Sequence, residues 1–126
     1  MITVSEQMRR TPSAVRPTVQ AARRMVKALA PKAAKEVAYQ SEPPRSKSAL
    51  WKIVRYTIED EPVVGIGTFP TYATLYFYRG REIDDPNGLL EGSGKDMRFT
   101  RLRAPTDPAR PGVRRLVRKA FALEND

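Results

Sequence analysis

The stretch WKIVRYTIEDEPVVGIGTFPTYATLYFYR, residues 51–79, decides the fold of this chain. Its β-branched and aromatic residues are concentrated in three short runs, which favours strands at 51–58, 63–69 and 72–79. Only tight polar turns separate these runs, so neighbouring strands are not joined by crossover helices. The stretch therefore predicts an antiparallel meander. Gly65 and Gly67, inside the second strand, indicate a bulge or the close approach of another group to the backbone.

One more strand and two helices are predicted outside this stretch. Met97–Arg103 alternates between two faces, as a strand does. Apolar residues recur at helical spacing near both ends of the chain. They form two stripes, Val15, Val19, Ala22, Val26 and Leu29 in one and Val113, Leu116, Val117, Ala120 and Phe121 in the other. The order of elements predicts a two-layer α+β fold, an antiparallel meander sheet packed against N- and C-terminal helices.

Capping residues and prolines predict where the two helices begin. The first helix is expected to have Ser13 as its N-cap, because serine hydroxyls accept free backbone N–H groups there. Pro17 then falls in the first turn, where its missing N–H costs nothing. The last helix is expected to begin at Pro108, with Thr106 or Asp107 as its cap.

Composition and periodicity suggest a role for the remaining segments. Residues 1–12 show no sustained periodicity and are predicted to be a flexible N-terminal arm, which leaves 13–126 as a single domain. A second, short helix is predicted at 31–40, and a proline- and serine-rich loop at 41–48. Trp51 is expected to be a core anchor, because tryptophan is usually well buried.

The overall composition excludes several classes of chemistry. The chain has 126 residues, no cysteine and no histidine. Disulfides, thiolate nucleophiles, imidazole bases and Cys/His zinc sites are therefore excluded. No apolar run approaches the ~20 residues that span a bilayer, and the first residues lack the apolar segment of a secretory signal. We therefore expect a cytoplasmic protein with no membrane partner.

The charge is unevenly distributed along the chain. The formal net charge is +9. Residues 1–50 contain 10 Lys and Arg against 3 Asp and Glu, and residues 95–126 contain 9 against 4. Residues 51–94 contain only 4 against 7. Two basic ends thus flank a mildly acidic centre, and this layout favours an anionic partner.

A glycine-rich segment is the first candidate for an anion site. Residues 80–96 are predicted to be a long structured loop, with one helical turn around Leu89-Leu90. A phosphate loop is excluded, because the glycine spacing is wrong and Asp96 follows the lysine. Backbone N–H groups at Gly92 and Gly94 are nevertheless expected to point at an anion. The basic residues predicted to join them are Lys95, Arg98, Arg101, Arg103 and Arg79.

Other chemistries remain open at this stage. Oxygen ligands for a hard cation are offered by Glu82, Asp84, Asp85 and Glu91. The basic residues of this region also lie near Tyr76, Tyr78 and Phe99 in sequence, a pattern that favours non-specific nucleic-acid binding. An enzyme with Glu91 or Asp85 as its base and Tyr76 or Tyr78 as its acid is a further alternative.

A long motif at residues 75–103 gives the chain a family resemblance. The motif is an aromatic strand, a glycine turn, Asp-Pro-x-Gly-Leu-Leu-Glu-Gly-x-Gly-Lys, then Met-Arg and a basic strand ending in Leu-Arg. Its positions here are Phe77, Gly80, Asp85, Pro86, Gly88, Leu89, Leu90, Glu91, Gly92, Gly94, Lys95, Met97, Arg98, Leu102 and Arg103. The chain resembles the YdhG-like family of small bacterial domains over most of residues 12–122.

The resemblance implies an α+β fold with helices packed on an antiparallel sheet, in agreement with the periodicity. It also implies a frataxin-like role, in which acidic side chains hold iron for delivery to cluster or haem assembly. Because the basic segment favours anions, we expect a non-catalytic domain that binds an anionic ligand or partner without a cofactor. An iron-binding role and non-specific nucleic-acid binding are the alternatives.

Overall fold

A computed structural model describes residues 3–40 and 52–125, and its centre is one antiparallel sheet. The strands are β1 (Lys35–Gln40), β2 (Lys52–Ile58), β3 (Glu61–Thr68), β4 (Ala73–Phe77) and β5 (Arg98–Leu102). Their order in the sheet is the order in the chain, and each pairs antiparallel with the next. The predicted meander is therefore confirmed.

Three helices pack on one face of this sheet. They are α1 (Val4–Arg9), α2 (Arg16–Leu29) and α3 (Pro111–Ala122). Both apolar stripes point into the core: every member is buried except Leu29, which packs against the core while partly exposed. Burial of apolar side chains is the main force that holds such layers together. The predicted two-layer α+β fold is confirmed.

Strand alternation determines which side chains meet the helices. Tyr56, Val64 and Phe77 are cross-strand neighbours on β2, β3 and β4, and all three belong to the core. Two residues further along, Val54, Ile66 and Leu75 form a second buried row. Because successive side chains point to opposite faces, the residues between these rows lie on the other side of the sheet.

The segment predicted as a flexible arm contains helix α1, so that part of the prediction is wrong. The Thr3 hydroxyl accepts the N–H of Glu6 and caps the helix. Met8 is buried in the same core as α2 and α3. A helix of six residues gives too few turns for an apolar stripe to be visible in the sequence.

The prediction of a second helix at 31–40 is also wrong, because residues Lys35–Gln40 form the edge strand β1. All six of them pair with β2. Backbone pairing of this kind overrides the weak helix propensity of an alanine-containing segment. The loop predicted at 41–48 and Trp51 lie outside the described residues.

The predicted N-terminal ends of two helices need correction. Val15 precedes α2 in place of Ser13, although Pro17 does lie in the first turn. Helix α3 begins at Pro111, because the Asp107 carboxylate accepts the N–H groups of Arg103 and Ala104 and closes a separate turn there.

The helical turn predicted around Leu89-Leu90 lies instead at Gly80–Glu82. At Leu89 and Leu90 the backbone N–H groups donate to the Asp85 carboxylate, at 3.0 and 2.8 Å. A side chain that accepts backbone N–H groups in this way offers the chain an alternative to helical hydrogen bonds.

A polar contact joins the edge strand to the helical layer. Arg23 of α2 donates two hydrogen bonds to the Glu36 carboxylate of β1, at 3.0 and 2.8 Å. The buried Tyr56 hydroxyl donates to the same carboxylate at 2.6 Å. Burial alone would raise the pKa of Glu36, but the hydrogen bonds from Arg23 and Tyr56 outweigh it and hold that pKa below its usual value.

We predict that Glu36→Gln destabilises the protein by about 2 kcal/mol at pH 7, because hydrogen bonds to a charged group are among the stronger ones. A carboxylate with a lowered pKa contributes stability above the unfolded-state pKa of about 4.3, and this contribution is lost as the pH falls through the folded value. Urea unfolding should therefore show the difference at pH 7 and a much smaller one at pH 3. Glu61→Gln, on an exposed side chain of β3, is the control. An equal loss at both pH values would contradict the assignment.

Candidate outer-face binding surface

The sheet face opposite the helices brings together aromatic and basic side chains. The strand registers align Arg55, Gly65, Tyr76 and Phe99 in one row across β2 to β5. Arg101 lies two residues along β5 from Phe99, and therefore on the same face. We call this surface the outer face and define it by Arg55, Tyr72, Tyr76, Tyr78, Phe99, Arg101 and Arg103.

Two glycines of β3 make room for tyrosine rings on this face. A Cβ atom at Gly67 would stand 2.6 Å from Cε2 of Tyr76. One at Gly65 would stand 3.0 Å from the hydroxyl of Tyr78. The Gly67 distance leaves no room for a side chain beneath the Tyr76 ring, and at Gly65 an added Cβ would make Tyr78 shift by a few tenths of an ångström. The close approach predicted from these glycines is confirmed.

Three arginines of the outer face each lie over an aromatic ring. The Cζ atom of Arg55 is 5.7 Å from the centre of the Tyr78 ring, and that of Arg101 is 5.5 Å from Phe99. Arg103 lies 5.6 Å from the ring of Tyr72. A guanidinium over a ring is attracted by the π electrons, and its N–H edge remains able to donate to an anion.

The rings also contact one another. Tyr72 stacks on Phe69 with ring centres 4.9 Å apart and planes 6° from parallel. Tyr76 and Phe99 meet at 6.3 Å with planes tilted by 55°. These contacts restrict the rings before any ligand binds. The outer face is therefore a preorganised surface of half-buried rings edged by cations.

Electrostatics on the outer face favour anions. Burial, together with the neighbouring Tyr72 and Tyr78, raises the pKa of Tyr76, so its hydroxyl stays neutral near pH 7. The Glu91 carboxylate lies 3.4 Å from the guanidinium of Arg101, and both side chains are about half exposed, at 49% and 40%. Such an exposed ion pair is weak and is screened by salt. A more highly charged anion can therefore compete for Arg101.

The predicted loop site is only partly assembled. Arg98 donates to the carbonyl oxygens of Gly94 and Met97, at 2.6 and 2.8 Å. Two backbone carbonyl oxygens therefore bind a cation inside this loop. The sequence predicts the opposite arrangement, in which backbone N–H groups bind an anion. Gly92 has a positive φ of 114° and lies beside the Phe99 ring, whereas Lys95 is exposed in the loop.

Arg79 does not reach the outer face. Its guanidinium donates to the carboxylates of Glu82 and Glu124 at 2.7 to 2.9 Å. These contacts fix the turn after β4 to the end of α3. Of the five predicted cations, only Arg101 and Arg103 thus lie on the outer face itself.

The four acids predicted as metal ligands are engaged in separate contacts. Glu82 pairs with Arg79, Asp84 lies 3.7 Å from Lys119, and Glu91 pairs with Arg101. Asp85 accepts backbone N–H groups, as described above. Within residues 3–40 and 52–125, no three acidic side chains are grouped so that they could hold a metal ion. The iron-binding alternative stays a prediction.

Two members of the outer face were missed from sequence. Arg55 is 23 residues from Tyr78, and only the strand register brings its guanidinium 3.2 Å from the tyrosine hydroxyl. Tyr72 precedes β4 and continues its alternation. The available signal was the alternation itself, which places Tyr72, Tyr76 and Tyr78 on one side of the chain.

Comparisons with family models, curated proteins and solved structures found no match to this chain. The resemblance to the YdhG-like family therefore stays a prediction. In the part of the chain that the structure describes, the helices are too short or too polar to cross a lipid bilayer.

We predict that Gly67→Ala displaces the Tyr76 ring and costs about 1 kcal/mol of stability. The added methyl group overpacks the site, and part of that cost is offset because alanine has less freedom than glycine in the unfolded chain. Urea unfolding and the NMR shifts of the Tyr76 ring measure the two effects. Gly94→Ala is the control, because its nearest contact is an ordinary 3.7 Å. Unchanged Tyr76 shifts would show that Gly67 does not position this ring.

Proposed function

We propose that this chain is a non-catalytic binding domain and that its outer face binds an anionic partner. The observation that supports this most directly is the set of three arginine–aromatic pairs on the sheet face opposite the helices. Membership of the YdhG-like family is retained as part of the proposal.

The arginines of the outer face suit this role for two reasons. Guanidinium groups donate in a planar fork that matches carboxylates and phosphates, and they are weakly hydrated, so they bind anions at low desolvation cost. The rings beneath them hold the guanidinium planes in place. Less side-chain entropy is then lost when an anion binds.

The formal charge of +9 supports the same conclusion at longer range. A strongly basic chain attracts polyanions before any specific contact forms, and this raises the rate of association. Helix α3 adds the exposed Arg114 and Arg115 on the other side of the molecule. These two residues provide a matched comparison, because they have the same charge as Arg101 and Arg103 but no ring contacts among those found.

Non-catalytic binding fits the state of the titratable groups on the outer face. The raised pKa of Tyr76 keeps its hydroxyl protonated, and the Glu91 carboxylate pairs with Arg101. A protonated tyrosine suits the acid of the enzyme alternative, but the carboxylate named as its base, Glu91, contacts the Arg101 guanidinium. The enzyme alternative with Glu91 as its base is thus less well supported.

We predict that Arg101→Ala/Arg103→Ala weakens binding to heparin, a linear polyanion without bases, by roughly tenfold at moderate salt. Two lost cation contacts should also lower the slope of log affinity against log salt by about two. Arg114→Ala/Arg115→Ala removes the same charge from α3 and should change affinity by less than about threefold. Fluorescence anisotropy with labelled heparin measures both. A larger loss in the α3 variant than in the outer-face variant would contradict the proposal.

A further inference from the structure

We infer that the anionic partner of the outer face is a single-stranded nucleic acid. Its bases stack on Tyr76 and Phe99, and its phosphates meet Arg101 and Arg103. This inference rests on the proposed function, because it names the class of anion that the same surface binds.

The half-buried rings on the outer face are the first argument for bases. The chain places Tyr56 and Phe77 inside the core, at 1% and 0% exposure, where aromatic rings stabilise the fold most. Tyr76 and Phe99 instead lie half-buried on the outer face. A simple anion gains nothing from such rings. Nucleic-acid bases do, because every base has a π face that stacks on an aromatic side chain.

The spacing along β5 is the second argument. Phe99, Arg101 and Arg103 follow one another at every second residue on one side of the chain, so neighbouring members are about 6.8 Å apart. Stacked bases in a duplex repeat at about 3.4 Å along each strand. A strand laid along β5 must therefore have its bases separated from one another. Unstacked bases of this kind belong to single strands.

The shape of the surface is the third argument. The duplex code is read by an element that enters a groove, usually a helix or a two-stranded ribbon. The outer face is one side of a five-stranded sheet whose helices all contribute to the core on the other side. A broad sheet with outward rings and cations matches the way in which single-strand modules bind.

Charge argues against the other occupants. In a symmetric dimer through the outer face, the basic patch of one copy would meet the basic patch of the other, and like charges repel. An acidic protein would satisfy the arginines but not the rings between them. A single strand offers both phosphates and bases to the alternating side chains of β4 and β5.

Glu91 acts in this scheme as an internal competitor for the phosphate. Its carboxylate contacts Arg101 at 3.4 Å and must be displaced when a phosphate binds. Glu91→Gln should therefore raise the affinity for a dT12 oligonucleotide by about two- to fivefold at low salt. Glu82→Gln is the matched control, because it removes the same charge from a residue that pairs with Arg79. An equal gain in both variants would refute the direct competition.

The decisive experiment separates rings from charge in the full chain. Fluorescence anisotropy is measured with labelled dT12, with a 12-base-pair duplex and with heparin. Tyr76→Leu/Phe99→Leu keeps every charge and should weaken dT12 binding by roughly tenfold or more, because it removes two stacking partners. Its heparin affinity should fall by only about two- to threefold, because every charge is kept and only the ring that holds Arg101 is lost. Tyr76→Phe keeps the ring and should bind dT12 nearly as wild type does.

Each outcome supports or overturns at least one of the two proposals. If the ring variant binds dT12 normally while the arginine variant loses heparin binding, the proposed function stands and the single-strand inference fails. Duplex binding as tight as dT12 binding also overturns the single-strand inference. So does a dimer in sedimentation that the ring variant abolishes. If the arginine variant keeps full affinity for both probes, both proposals fail.

A second measurement covers the case in which the ring variant does not fold. The wild-type protein is titrated with dT12 and the ring protons of Tyr76 and Phe99 are followed by NMR. Stacking predicts upfield shifts at these two rings and smaller shifts at the buried Phe121 of α3. If Tyr76 and Phe99 do not shift while dT12 binds, the bases stack elsewhere and the inference is wrong.

Discussion

The two-sided nature of a β-strand is the constraint on which the rest of this structure depends. The helices contribute to a single core on one face of the sheet, and along Val54–Tyr56, Val64–Ile66 and Leu75–Phe77 that core takes every second residue. The residues between them must point away from the core. The outer face is thus fixed by the same register that builds the core. A shift of one residue in any strand would exchange the two sets.

The two glycines of β3 leave room for tyrosine rings on the outer face, and these rings give the surface its chemistry. A side chain at either Gly65 or Gly67 would push the rings of Tyr78 and Tyr76 outward. Without one, the rings lie close over the strand and arginines lie beside or over them. Glycine inside a strand costs stability, because it gains no packing and loses much freedom on folding. The ring contacts offset part of that cost, so the outer face also contributes to the fold.

The sequence predicted the layers well and the local boundaries less well, for a physical reason. The stripes of α2 and α3 and the meander follow from periodicity, which reflects burial directly. Helix α1 and strand β1 depend on tertiary contacts: Met8 enters a shared core, and Glu36 is held by Arg23 and Tyr56. Propensity is too weak to anticipate such contacts.

The candidate site, too, could be predicted from the sequence only in part. Arg101 and Arg103 could be predicted, because β5 alternates visibly and both follow Phe99. Arg98, on the same strand, bonds to loop carbonyls, and Arg79 is bound by two carboxylates. Arg55 joins the site only because two successive pairings, β2 with β3 and β3 with β4, bring it beside Tyr78, 23 residues away in sequence. Which residues share a surface depends on how the strands pair, and a sequence motif does not contain that information.

Basic charge on both sides of the molecule makes the rings the deciding feature. Arg114 and Arg115 on α3 and the arginines of the outer face attract the same polyanions at long range, so charge alone does not select a surface. Contact is different, because a base that stacks on Tyr76 removes apolar ring surface from water and replaces no hydrogen bond. In the proposed interaction, electrostatic attraction thus governs how fast a strand arrives at either side. Stacking governs how long it stays, and among the described residues the arginine–aromatic pairs lie on the outer face alone.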